Sequence, residues 1–398
     1  VAKAIEAEWF HVDRGSNRYR TNHNNFHNLR LYARGEQSIQ KYKDELSING
    51  DLSYLNLDWT PVPIIPKFVD IVVNGIAERT YDIKAYSQDP YGVAKRTEYM
   101  ESILKDMRTQ ELADFAQQQM GIDIRENKKE ELPGSEEELK LHMQLTYKQS
   151  IELAEEQALR VLFEGNDYEL IKKRFYYDLT VLGIGAVKTN FNTSEGVTID
   201  YVDPADLVYS YTESPYFDDI YYVGEVKNIP INELIKQFPH LTQEDLEDVI
   251  KNKTYNQANY QNNSYNSKEE DNNKVQVLYF NYKTYMNEVY KVKETGTGAD
   301  KILEKDDTFN PPEDADNFSK IHRSIECLYE GAVILGTKKL LKWEMSKNMM
   351  RPKSDFTKVK MNYNIVAPRM YKGRIESLVK RITGFADMIQ LTHLKLQQ

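Results

Sequence analysis

Cysteine is nearly missing from this chain: Cys327 stands alone among 398 residues, which excludes an internal disulfide and any thiolate cluster, and suits a reducing compartment. No apolar run reaches the roughly 18 residues a membrane-spanning helix needs. The opening VAKAIEAEWFHVDRG lacks the charged, apolar and small-residue regions of a signal peptide, so export by that route and membrane insertion are not expected. GxSxG, GK[ST] and HExxH do not occur, which removes three motif-borne catalytic chemistries. Positive charge is also short. Against 62 Asp and Glu the chain sets 52 Lys and Arg, a formal charge of −10, and its overall field repels nucleic acid. Contact with DNA or RNA would need a local basic strip.

What is present is a globular composition, 40% hydrophobic and 11% aromatic, long enough for two or three domains. The central stretch LTVLGIGAVKTNFNTSEGVTIDYVDPADLVYS, residues 179–210, organises the rest. A helix end runs into Gly183-Ile184-Gly185, then an extended run Ala186–Asn192, a Ser194-Glu195-Gly196 turn, a second run Val197–Val202 and an Asp203-Pro204-Ala205-Asp206 stop. Two β-branched runs around a Gly-containing turn predict an antiparallel hairpin. The Gly183-Ile184-Gly185 turn is no phosphate loop, because such loops follow a strand and open a helix, the reverse of the order here.

Upstream, KAIEAEWF and residues 26–46 read as two polar helices; Pro61, Pro63 and Pro66 fix an extended lead into a helix ending near Glu78, and residues 80–86 read as a strand. Helical periodicity is strong over 92–163, broken by the charged loop 126–136, with Ser135-Glu136-Glu137-Glu138 as a capping box. A helix is predicted over 167–182, a strand over Tyr221–Lys227, and short helices over 231–238 and 242–251, the second capped by Thr242. NKTYNQANYQNNSYNSKEEDNN, residues 252–273, has the composition of a flexible loop. β-like runs follow at 275–285, 289–293, 321–329, 332–335 and 340–343, interrupted by an acidic loop over 304–317. Ile375, Leu378, Ile382, Phe385 and Ile389 predict one helix from about Arg374 to Gln398, about 37 Å long. A start at Val1 without Met and a stop inside that pattern lead us to expect a piece of a longer polypeptide.

His23 and His27 are four apart, as metal ligands on one helix face would be, but no acidic partner accompanies them and their Asn-rich surroundings read as loop. The loop Asp306, Asp307, Glu313, Asp314, Asp316 lacks calcium-loop spacing. Neither pattern nominates a metal, and no cofactor or catalytic residue is assigned. Basic residues gather between Lys338 and Arg381; from charge alone they fit a phosphate-facing strip and a solvated or ion-paired face equally well.

Three stretches, YLNLDWTPVPIIPKFVDIVVNGIA (54–77), YDLTVLGIGAVKTNFNTSEGVTIDYVDPADLVY (177–209) and DDIYYVGEVKNIPINELIKQFPHL (218–241), resemble the portal proteins of tailed bacteriophages, most closely those of crAss-like phages. The resemblance implies an α+β subunit with a helical and hairpin wing, stem helices and a β-rich clip. On that template 1–228 is the N-terminal part of the wing, 229–251 the first stem helix region, 252–274 the flexible Asn/Gln-rich loop, 275–368 the clip, with Val275–Tyr290 fitting wing sheet equally well, and 369–398 the second stem helix, with further wing and a crown expected beyond. The resemblance also implies a non-enzymatic homo-oligomeric ring of about twelve copies at the capsid vertex of the virion, assembled in the bacterial cytoplasm. Its partners would be the terminase motor, then a head-to-tail connector, the major capsid protein, and double-stranded genomic DNA passing non-specifically through the channel, with no membrane. Lys372, Arg374, Lys380 and Arg381 become the DNA-channel candidates. Lys338, Lys339, Lys342, Trp343, Arg351 and Lys353 become the terminase- or connector-docking candidates. Another virion scaffold, or an enzyme whose site lies beyond residue 398, are the rival readings.

Overall fold

The computed structural model describes residues 1–10, 12–13, 16–47, 56–79, 81–86, 89–121, 133–145, 147–192, 196–247, 249, 274–294, 300–306, 308–310, 318–337, 339–347, 349–352 and 354–398. The chain divides into two compact units, one of Val1–Glu78 with Leu170–Gln398 and one of Arg79–Glu169. It is a mixed helix and sheet protein, as its sequence pattern implies.

In the first unit, α1 (Ala2–Phe10), the short pair β1 (Val12–Asp13) and β2 (Ser16–Asn17), α2 (Arg18–Arg34), α3 (Gln40–Leu46) and α4 (Ile64–Ala77) come first. The single helix expected over 26–46 is therefore two. Gly35 adopts φ +74°, a left-handed turn that ends α2 before α3 begins. The Asn-rich segment around His23, expected as loop, is helical throughout. α4 carries Ile65, Val69 and Val73 inward at helical spacing, and all three are buried. Its Pro-rich lead is held from the far end of the chain: buried Gln390 accepts from the Val62 amide (2.8 Å) and donates to the Thr60 carbonyl (3.4 Å). Those bonds serve backbone groups that the flanking prolines leave without a ladder.

The second unit is helical among its described residues: α5 (Pro90–Arg108), α6 (Gln110–Met120), α7 (Glu136–Leu145) and α8 (Ser150–Gly165). At α7 the expected capping box is half formed. The Glu138 amide donates to the Ser135 hydroxyl (3.2 Å), but the Glu138 carboxylate takes the Gly134 amide (2.7 Å) instead of that of Ser135. The strand expected near 80–86 does not form over its described residues 81–86; the described residues of that unit supply no partner strand, and the Ala85 amide bonds the Glu156 carboxylate (2.9 Å) instead.

α9 (Tyr168–Val181) returns the chain to the first unit, followed by the expected hairpin of β3 (Gly185–Asn192) and β4 (Gly196–Val202), paired from Ala186↔Val202 to Asn192↔Gly196. A one-turn 3-10 helix at Pro204–Asp206 leads to β5 (Leu207–Tyr209) and β6 (Tyr222–Pro230). α10 (Ile231–Gln237) and a helical turn over 243–247 follow, the latter closed by reciprocal bonds between Thr242 and Asp245. The region expected as a first stem helix thus contains two short helical pieces over its described residues. The Asn/Gln-rich segment 252–273 lies outside the described residues.

Next come β7 (Lys274–Glu294), β8 (Asp300–Lys305), β9 (Phe318–Ile334) and β10 (Leu340–Met345), then β11 (Tyr363–Val366), β12 (Met370–Tyr371), β13 (Arg374–Ile375) and α11 (Leu378–Gln397). The separate runs expected over 275–293 and 321–335 are two long strands, registered without interruption from Val277↔Ile334 to Lys293↔Phe318. One antiparallel sheet has the order β10-β9-β7-β6-β5, with β8 also on β7; β11-β3-β4 form a second. Strands on both sides of the expected wing and clip division therefore share one sheet. The long final helix is shorter than expected: it starts at Leu378, and residues 370–375 are a hairpin. The Ser377 hydroxyl accepts from the Lys380 amide (2.9 Å), the N-cap that fixes the start.

Three cores follow from this topology. The largest joins α2, α4, the end of α9, β3, β4, β11 and α11 around Val69, Leu182, Ile184, Tyr363 and Val379. The period-2 alternation of β7 supplies the others: Val275 and Val277 face α10, whereas Leu278 and Phe280 face Ile5 of α1.

Candidate functional site

The functional geometry is built on α2, whose sequence puts amides where helix formers would be better. Asn22, Asn25 and Asn28 alternate with Phe26, Leu29 and Tyr32, and all six line one open pocket of about 410 Å³. Asn is a poor helix former, less favourable than Ala by up to about 0.7 kcal/mol per residue, so three in one helix oppose local propensity. The opposite wall comes from the β12–β13 hairpin and the first turn of α11, with Gly373, Arg374, Ser377 and Lys380. Lys372 (φ +48°) and Gly373 (φ +70°) form the two left-handed positions of that hairpin turn. The turn is seated: a Cβ at Gly373 would come within 3.0 Å of the Tyr211 ring. Arg374 and Lys380 are consequently carried by fixed elements, and neither is in an ion pair among the described residues. No carboxylate lines the pocket.

Beside it, the same helix anchors the hairpin corner. Arg30 donates to both oxygens of Asp203 (2.8 and 2.9 Å) and to Asp178 (3.2 Å), while the Tyr201 hydroxyl donates to Asp178. Burial pushes the Arg30 guanidinium down, but the hydrogen bond and charge of Asp203 outweigh it and hold the group above its ordinary value. Burial alone would raise the Asp203 carboxyl; Arg30 brings it below the usual range. Asp178 remains raised, because burial dominates there. This is a structural latch between helix, corner and loop, since all four carboxylate oxygens of Asp178 and Asp203 accept hydrogen bonds within it.

Asp206 lies next to the latch without such help. Burial, followed by the charges of Asp203 and Glu225, pushes its carboxyl up to about 7, against weaker pulls from Arg30 and Lys227. The folded state therefore favours protonated Asp206, and this contribution, full below about pH 4, is lost as the pH rises through about 7. Asp206→Asn is expected to gain stability over the parent progressively across that window, reaching on the order of 1–2 kcal/mol at pH 8 after solvent screening. Urea denaturation at pH 4, 5, 6, 7 and 8 measures it; parallel pH curves for the two proteins would remove the effect.

The four expected channel residues separate. Arg374 and Lys380 meet at the pocket; Lys372 caps the hairpin over the Tyr371 ring (5.5 Å), and Arg381 is paired with Glu376 (2.6 Å). They therefore do not form the single helical strip expected, because the helix begins after Arg374. Of the docking set, Lys339 is ion-paired with Asp245, and Lys342 bridges Glu330 (2.6 Å) and Glu344 (2.8 Å). Arg351 donates to the carbonyls of Glu326 (2.9 Å) and Phe356 (2.9 Å), so it clamps backbone. Trp343 is 56% exposed, stacks on Tyr329 (5.1 Å, 16°) and donates to the Tyr282 hydroxyl (2.9 Å), an aromatic row on the sheet surface. Lys338 and Lys353 lie outside the described residues, as do Asp307, Glu313, Asp314 and Asp316.

Among the described residues no group of three or more His, Cys, Asp or Glu side chains is arranged to hold a metal ion, and no helix is long and apolar enough to cross a membrane. Burial lowers the His23 imidazole below its ordinary value. Sequence reasoning missed the asparagines of α2 and the Arg30 latch. The available signal was the i, i+3, i+4, i+7 placement of Asn22, Asn25, Phe26 and Leu29, legible only once the segment is read as a helix. No protein-family model and no curated protein matches the chain.

Proposed function

We propose that this chain is a portal-like subunit, a non-enzymatic structural protein that assembles head-to-tail into a ring of about twelve copies and conducts double-stranded DNA at a capsid vertex. The resemblance of residues 54–77, 177–209 and 218–241 to phage portals motivates the reading. The observation that supports it best is an apolar stripe on the outer side of α11: Phe385 (65% exposed), Met388, Ile389 and Leu396 (82%) recur at helical spacing while Ala386, Gln390 and Leu394 face inward. A helix apolar on both faces is stable in water only when a second surface covers the outer one. Phe68 and Ile71, exposed on α4, offer a second apolar patch. A head-to-tail contact uses two different surfaces per copy, and repeating it closes a ring when the rotation permits.

In this reading Lys372, Arg374, Lys380 and Arg381 are the residues that approach DNA, sparse cations on an acidic protein, so that a translocating duplex is not gripped. The β10 surface with Lys339, Lys342 and Trp343 is the docking face for the packaging motor and then the connector; the major capsid protein surrounds the ring within the virion. Negative-stain particle imaging tests the assembly directly. Rings with an axial hole are expected at micromolar concentration, and their loss in Phe385→Asp would tie the ring to α11. Monodisperse monomers, or closed particles with no hole, would overturn the proposal.

A further inference from the structure

The pocket between α2 and the β12–β13 hairpin has more chemistry than a channel wall needs. Its volume of about 410 Å³ exceeds what one phosphate fills and falls in the range of pockets that hold small molecules. Two cations, Arg374 and Lys380, line it with no carboxylate among the lining residues; Glu376, which flanks lining residues in sequence and feels the Lys380 charge, is ion-paired with Arg381, and Asp387, bonded to the lining Tyr32, is shared with Tyr42 and Lys41. The site is therefore net positive and calls for an anion. Arg presents a planar fork and Lys a point charge, a pairing suited to phosphate oxygens.

The other side is not cationic. Asn22, Asn25 and Asn28 offer both donors and acceptors, and Phe26 supplies an aromatic surface between them. Amides matched to mixed donor and acceptor edges, next to a ring on which a flat group can stack, are what a nucleobase requires. These asparagines also oppose helix propensity, and departures from local preference concentrate where a residue is retained for something other than folding.

We propose that this pocket binds a nucleoside 5′-phosphate, with the phosphate on Arg374 and Lys380 and the base against Phe26 within reach of the α2 amides. The ligand is either a free nucleotide or one unit of a single strand, and the chemistry recognised is the same. Binding needs one subunit and does not depend on ring assembly, so it stands or falls separately from the portal reading.

Isothermal titration of the full chain with deoxyadenosine 5′-monophosphate, inorganic phosphate and a twelve-nucleotide single strand tests it. The mononucleotide is expected to bind at sub-millimolar concentration and at least tenfold more tightly than phosphate. Arg374→Ala/Lys380→Ala should weaken it tenfold or more, and Asn25→Ala several-fold, with unchanged circular dichroism. Tight mononucleotide binding with no gain for the strand identifies the free nucleotide as ligand; stronger binding of the strand identifies nucleic acid. No heat from any probe, equal affinity for phosphate and mononucleotide, or unaltered binding by the folded double variant would each overturn the proposal.

Discussion

Gly183→Ala should lower stability by about 3 kcal/mol, the sum of two independent penalties. Gly183 sits at φ +83°, where a residue with a Cβ is strained by about 1–2 kcal/mol. That Cβ would also stand 2.6 Å from the Glu376 carbonyl oxygen and 2.9 Å from its carbon. Both are backbone atoms, so no rotamer change relieves the clash, and overpacking of this kind costs about 1–3 kcal/mol. Urea denaturation followed by circular dichroism measures the loss. A change under 1 kcal/mol would mean that the corner between α9 and β3 is not seated on the segment leading to Ser377.

A comparable effect is expected from Arg30→Met. Removing the guanidinium leaves Asp178, 2% exposed, and the half-buried Asp203 without their shared counter-charge. Breaking one partner of a buried pair typically costs about 3–5 kcal/mol. The pH dependence inverts in a specific way. In the parent, Arg30 holds Asp203 below its ordinary value, so this stabilisation is present above about pH 4 and lost on acidification. In the variant, protonation of the stranded carboxylates relieves the defect, and stability should rise as the pH falls. Arg30→Met combined with Asp178→Asn and Asp203→Asn should recover much of the loss at neutral pH. If Arg30→Met costs less than 1 kcal/mol at pH 7, or the triple variant is no better than the single one, the latch is not holding the corner.

Much of the local structure was legible because its signals are short-range. The β3–β4 hairpin, the Pro-Ala-Asp stop and the Thr242 cap follow from turn chemistry within a few residues, and the structure has them where the pattern put them. Two expectations failed at single residues. Gly35 split a predicted helix, and Ser377 started α11 later than the apolar stripe implied, because Ile375 belongs to the stripe by spacing but to β13 by pairing. Others failed for want of partners: residues 81–86 have strand composition but no neighbouring strand among the described residues, and a strand is a relation between two segments. The pocket was half legible. Its cations drew attention by reversing the charge of the chain, whereas its asparagines read as loop because propensity disfavours them in a helix. That Arg374 and Lys380 face Asn22 and Asn25 is a product of long-range topology, invisible to any window of sequence.

The largest core has a temporal consequence. Val69 and Val73 of α4 pack with Val359, Met361, Tyr363 and Val379, so the two ends of the first unit finish one another. During synthesis at about 5–20 residues per second, α4 emerges roughly 15–60 s before the strand and helix that complete its cover. For that interval α2, and later the end of α9 with β3 and β4, cover only part of its apolar side, and the intervening helical unit, whose contacts are local, can fold first. The order in which the ribosome delivers the chain is therefore not the order in which its interior closes, and the nascent amino-terminal helices are the part that a chaperone would have to shelter.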